Sequence, residues 1–68
     1  MKVRSVIIKV VNHYDDVETV TFTEGEHGVV DLHYIVRDGM VCANSRIDGN
    51  REGYSVPIGR VFSVRTIL

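Results

Sequence analysis

Residues 33–54 read HYIVRDGMVCANSRIDGNREGY and contain Asp-Gly twice, at Asp38-Gly39 and at Asp48-Gly49. Asp-Gly between apolar runs is the strongest short-range signal for a tight hairpin turn, because both central residues must adopt positive φ. Let Asp38-Gly39 be a two-residue turn, so that Arg37 lies opposite Met40. Val36 then faces Val41, Tyr34 faces Ala43, Leu32 faces Ser45 and Val30 faces Ile47, an almost wholly apolar set. On the other face Ile35 meets Cys42, His33 meets Asn44 and Asp31 meets Arg46. A slip of one residue would mix the two sets, so this register is strongly specified. The same test applied to Asp48-Gly49 opposes Arg46 with Arg51 and turns Glu52, opposite Ser45, towards the core; both are unfavourable. The reading is therefore an exposed loop over 48–53, with Gly49 and Gly53 supplying unusual backbone angles. Ile47 then pairs with Tyr54, Ser45 with Val56 and Ala43 with Ile58.

Working outward, apolar residues alternate with a period of two almost throughout, and β-branched residues dominate; both mark strands. Strands are expected near 2–12, 17–23, 29–37, 40–47, 54–58 and 60–67. The EGEHG stretch, residues 24–28, is expected to join the second and third strands, pairing Thr23 with Val29, Phe22 with Val30 and Val20 with Leu32. Strand one is apolar on both faces: Val6, Ile8 and Val10 alternate with Val3, Ile7 and Val11. It should be covered on both sides or lie in a subunit interface.

After the meander comes GYSVP, residues 53–57, followed by Gly59 and a last apolar segment with Val61, Phe62, Val64 and Ile67. Pro57 cannot donate to a ladder and Gly59 permits a kink. This Gly-aromatic-x-x-Pro stretch before a short closing strand resembles the end of SH3-like barrels. The resemblance implies a fold and no function: such domains read proline-rich peptides with a groove that includes tryptophan, and this chain has none. The expected fold class is all-β, a small antiparallel meander of five to six strands, closed or nearly closed as an SH3-like barrel.

The chain has 68 residues, which suits one β domain over 1–68. A domain this size buries only about 60% of its unfolded surface, and small scaffolds usually need a staple. Cys42 is the single cysteine, so no intrachain disulfide can form. Self-association is the favoured staple and a metal the lesser one. Residues 1–34 carry three cations against six acids, and residues 35–68 carry five arginines against three acids. Halves of opposite sign can pair with each other or with a second copy. No targeting segment is evident, and no apolar run approaches the roughly 18 residues that span a bilayer. No membrane association and a cytoplasmic location are the expectation.

On the outer face of the meander, Thr19, Thr21, Asp31, His33, Asn44 and Arg46 are expected to form a polar patch beside an apolar strip of Val17, Ile35 and Cys42. With Arg51 in the following loop they are the candidate binding residues. His27, Asp31 and His33 could surround a metal, but their spacing matches no compact motif and Arg46 competes for the Asp31 carboxylate. Cys42 could be a nucleophile near His33; a flat sheet supplies no oxyanion hole, and packing is its simpler role. No catalytic motif, P-loop or dinucleotide fingerprint is present, so neither an enzyme nor a cofactor is expected. The expected function is non-catalytic binding of another protein, with self-association. With its acidic loops the chain would suit an inhibitor or adaptor, as some phages encode. Nucleic-acid binding is the alternative: Arg37, Arg46, Arg51, Arg60 and Arg65 cluster in one half, but few rings are left for stacking on bases. A metal or small-ligand binder is the second alternative.

Overall fold

The computed structural model describes residues 1–68, all of the chain. Six strands form: β1 (Ser5–Val11), β2 (Val17–Thr23), β3 (Val29–Arg37), β4 (Met40–Ile47), β5 (Asn50–Pro57) and β6 (Val61–Ile67), with a 3-10 turn at Ile58–Arg60 between the last two. They are arranged as two three-stranded antiparallel sheets, in the orders β2-β1-β6 and β3-β4-β5. The fold is all-β, as the alternation requires, but the strands do not pair into a closed barrel.

Both sheets contribute to one core. Val6, Ile8 and Val10 alternate along β1 and point inward, where Val29, Leu32, Val41, Ala43 and Val56 of the other sheet meet them. Val6, Ile8 and Leu32 are completely buried. Fully burying such a side chain stabilises by about 1.5–3 kcal/mol, so these residues hold the sheets together. The chain also ties them through its backbone. Residues 1–3 run antiparallel beside β3, with Lys2 opposite His33 and the Val3 N–H donating to the Leu32 carbonyl at 3.1 Å. At Arg4 the chain changes sheets: its N–H donates to the Ile67 carbonyl at 2.7 Å and its carbonyl accepts from the Glu24 N–H at 2.8 Å.

The expected meander is corrected at one joint. β2 does not pair with β3; it pairs with β1 along its full length, from Ser5 opposite Thr23 to Val11 opposite Val17. The expected Thr23–Val29, Phe22–Val30 and Val20–Leu32 pairs therefore do not form. Alternation specifies which side chains face the core, but not whether their neighbour lies beside them or across it. Phe22 meets the other sheet across the core, with its ring 5.7 Å from that of Tyr54. β1 is thus the central strand of its sheet. Its outward Ile7 and Val11 are half-buried, flanked by Thr21 and Arg65 in one row and by Val17 in the other.

Candidate functional site

The two Asp-Gly turns are the same turn. Asp38 and Gly39 have φ of 53° and 74°, Asp48 and Gly49 have φ of 52° and 81°, and each pair joins adjacent strands directly. The expected loop over 48–53 is therefore corrected. Ile47 lies opposite Asn50, Arg46 opposite Arg51, Ser45 opposite Glu52, Ala43 opposite Tyr54 and Val41 opposite Val56. The argument against this register was that Glu52 would be buried. It is exposed, although its partner Ser45 is buried. Two solvated guanidinium groups can also swing apart, so their repulsion is smaller than the turn's backbone preference. Gly53 has no positive φ. Its role is close approach: a Cβ there would lie 2.9 Å from the Asn44 Oδ1.

The expected β3–β4 register holds from His33–Asn44 to Arg37–Met40 and then shifts. Val30 lies opposite Arg46 and Val29 opposite Ile47, so Asp31 and Leu32 together oppose Ser45. This is a β-bulge, with Asp31 in the left-handed region at φ 55°. It keeps both Val29 and Leu32 in the core and puts Val30, expected inside, on the surface. Val36, also expected inside, is largely exposed near the Asp38 turn.

Glu24 holds the bulge from the other side. Its carboxylate accepts from the Asp31 N–H at 3.0 Å and the Leu32 N–H at 3.1 Å. These are amides that the shifted ladder leaves over, and bonds to a charged acceptor are the stronger kind. The His33 Nδ1 lies 2.8 Å from the Asp31 carbonyl. A carbonyl only accepts, so Nδ1 carries the proton and Nε2 is left as the ring's second polar atom. The expected Asp31–Arg46 ion pair forms despite the shifted register, at 3.9 Å between Oδ2 and Nε, with both side chains more than half exposed.

The result is an open groove of about 400 Å³ on the outer face of β3-β4-β5. Asp31, His33, Asn44, Arg46, Arg51 and Glu52 line it, with Gly53 keeping one strand bare beneath Asn44. No hydrophobic side chain lines it. Ile35 and the half-buried Cys42, which accepts a hydrogen bond from the Ser55 Oγ at 3.3 Å, form the next row.

Five of the seven expected binding residues, Asp31, His33, Asn44, Arg46 and Arg51, therefore come together. Thr19 and Thr21 do not. They lie on β2, opposite Lys9 and Ile7, in the other sheet. Val17 leaves the apolar strip for the same reason, and Ser55 stands beside Cys42. Glu52, Gly53 and the supporting Glu24 were missed. Glu52 and Gly53 follow once the second turn is read as tight; for Glu24 the signal is weak, an acid seven residues before a break in alternation.

His27 has φ 52° in the turn that precedes β3. His27, Asp31 and His33 do not form a metal-holding group, and no set of three His, Cys, Asp or Glu side chains does. No helix is long and apolar enough to cross a membrane. No protein-family model, curated protein or solved structure matches the chain.

Proposed function

We propose that this chain is a non-catalytic binding module that grips another protein through the outer face of β3-β4-β5, and that it also associates with itself. The observation that carries the reading is the composition of the groove. It sets two cations, Arg46 and Arg51, beside the acid Asp31 and adds His33 and Asn44, with Glu52 at its rim, opposite the inward Ser45. Such a surface offers both donors and acceptors, which suits the mixed polar groups of a polypeptide. The Ile35–Cys42 row beside it supplies apolar contact.

A polyanion is served less well, because the Asp31 carboxylate stands against Arg46. Of the other arginines in this half, Arg37 stands on the same face of β3 beyond the Ile35–Cys42 row, Arg65 lies in the other sheet opposite Ile7, and Arg60 is in the 3-10 turn. The rings are dispersed. Phe22 and Tyr54 pack against each other at the core, while the exposed Phe62 is on β6, away from the groove. This favours protein over nucleic acid as the partner. The 3-10 turn after Pro57, leading into the last strand, supports reading the two sheets as a nearly closed SH3-like arrangement. Cytoplasmic residence and an inhibitory or adaptor role remain part of this proposal; the single free Cys42 suits a reducing compartment.

The test is partner retention by tagged protein in extract of the native host. Wild type should retain a protein that His33→Ala/Arg46→Ala loses while keeping its fold. Retention of nucleic acid with a steep salt dependence, and of no protein, would replace this reading with the nucleic-acid one.

A further inference from the structure

We infer that β2 is a self-pairing edge, through which two copies of the chain join their sheets into one continuous six-stranded sheet. The inference rests on the self-association part of the proposed function and names its surface.

Unpaired strand edges invite pairing with another chain, and proteins block them with charges, prolines, bulges or covering segments. Three of the four outer strands here carry such a block. β3 is covered by residues 1–3. β5 has Arg51 and Glu52 at one end, Gly53 in its interior and Pro57 at its close. β6 carries an extra residue at Phe62, where the register to β1 shifts between Lys9 and Val10, and a charge at Arg65. β2 carries no such block beyond a single charge near one end. VETVTFT has no proline, glycine, lysine or arginine, and pairs with β1 without a bulge. Its one charge, Glu18, is held at its end by the Asn12 Nδ2, 3.0 Å from the carboxylate.

The strand is also complementary to itself. Antiparallel pairing about a two-fold axis at Val20 sets Val20 opposite Val20 of the second copy. Glu18 then faces Phe22, Thr19 faces Thr21, and Val17 faces Thr23. All seven residues of β2 take part. Within the strand no like charges meet, and the Thr–Thr pairs are among those that stabilise neighbouring strands. A shift of the axis towards the start of the strand, to Glu18, opposes the two Glu18 carboxylates; a shift to Thr21 leaves Val17 and Glu18 without partners in the strand. The central register is the one that engages all seven residues of the strand. An isologous contact of this kind closes as a dimer and does not propagate. It gives Thr19 and Thr21, which the fold removes from the groove, a separate role.

Sedimentation equilibrium of the full chain in the micromolar range tests this. Wild type should run at twice its 7.7 kDa mass. The variant Thr19→Lys/Thr21→Lys sets lysines opposite each other at exposed positions, and should run as a monomer with an unchanged circular-dichroism spectrum. Mixing it with Thr19→Glu/Thr21→Glu should restore the dimer. Should the charged variants unfold, hydrogen exchange of wild type decides: the edge amides of β2 should lose protection on dilution while those of β4 keep it. A monomeric wild type overturns both self-association and the edge. A folded lysine variant that stays dimeric, or β2 protection indifferent to dilution, overturns the edge alone.

Discussion

The sheet β2-β1-β6 and the sheet β3-β4-β5 share one core but differ in how closely they follow the rules of a regular sheet. In the first, β1 and β2 pair in unbroken register and the outward face of β2 is threonine after threonine. In the second, within a few residues, an aspartate occupies the left-handed region, two arginines stand opposite each other, and a glycine sits in a strand interior under an asparagine amide. Each departure costs stability, and the arginine pair and the glycine do nothing for packing. Their concentration around one groove is the basis for the proposal that this face serves recognition.

The comparison can be broken or sharpened at several points. The largest effects belong to the shared core. Ile8→Ala in one sheet and Leu32→Ala in the other should each cost about 2–5 kcal/mol. That is most of the stability of so small a domain, so both should abolish the cooperative urea transition. A variant that unfolds only its own sheet would show that the core is not shared. Next comes Glu24→Ala, which leaves the Asp31 and Leu32 amides without their acceptor. The expected loss is about 1–3 kcal/mol, with NMR shifts centred on residues 31–33. An undisturbed bulge in that variant would show that the bulge needs no support. Gly39→Ala and Gly49→Ala should each cost about 1–2 kcal/mol through forced positive φ, and by similar amounts, since the turns are alike. A much smaller cost at Gly49 would revive the longer loop. The smallest effect is the Asp31–Arg46 coupling. A double-mutant cycle should give about 0.2–1 kcal/mol, vanishing in molar salt; a larger, salt-resistant value would mean that the pair is structural.

Much of this was legible in the sequence. The limits of β2, β3 and β4 follow from alternation, and the pairing of 33–37 with 40–44 follows from the Asp38-Gly39 turn alone. Reading the second turn as a loop weighs charge repulsion above backbone preference, on the premise that a residue opposite Ser45 is buried. On the outer strand of the sheet that premise fails: Ser45 is buried and Glu52 is exposed. The bulge was hidden for a related reason. Val29, Val30 and Leu32 are all apolar, and a strict two-residue period had to choose Val30 and Leu32 as inward. The mark of the bulge is the break itself: two apolar neighbours, then an aspartate, a residue that tolerates the left-handed region. Thr19 and Thr21 were placed beside His33 because β2 was paired with β3. Face composition alone does not distinguish a strand beside β3 from one that packs across the core from it.

The central claim is that recognition resides on the β3-β4-β5 face and is separate from the β2 edge. Partner retention by His33→Ala/Arg46→Ala, measured beside Thr19→Lys/Thr21→Lys, tests it most directly. The account predicts that the first variant, folded, loses the partner protein and that the second keeps it. A folded His33→Ala/Arg46→Ala variant that retains the partner as well as wild type does would contradict it.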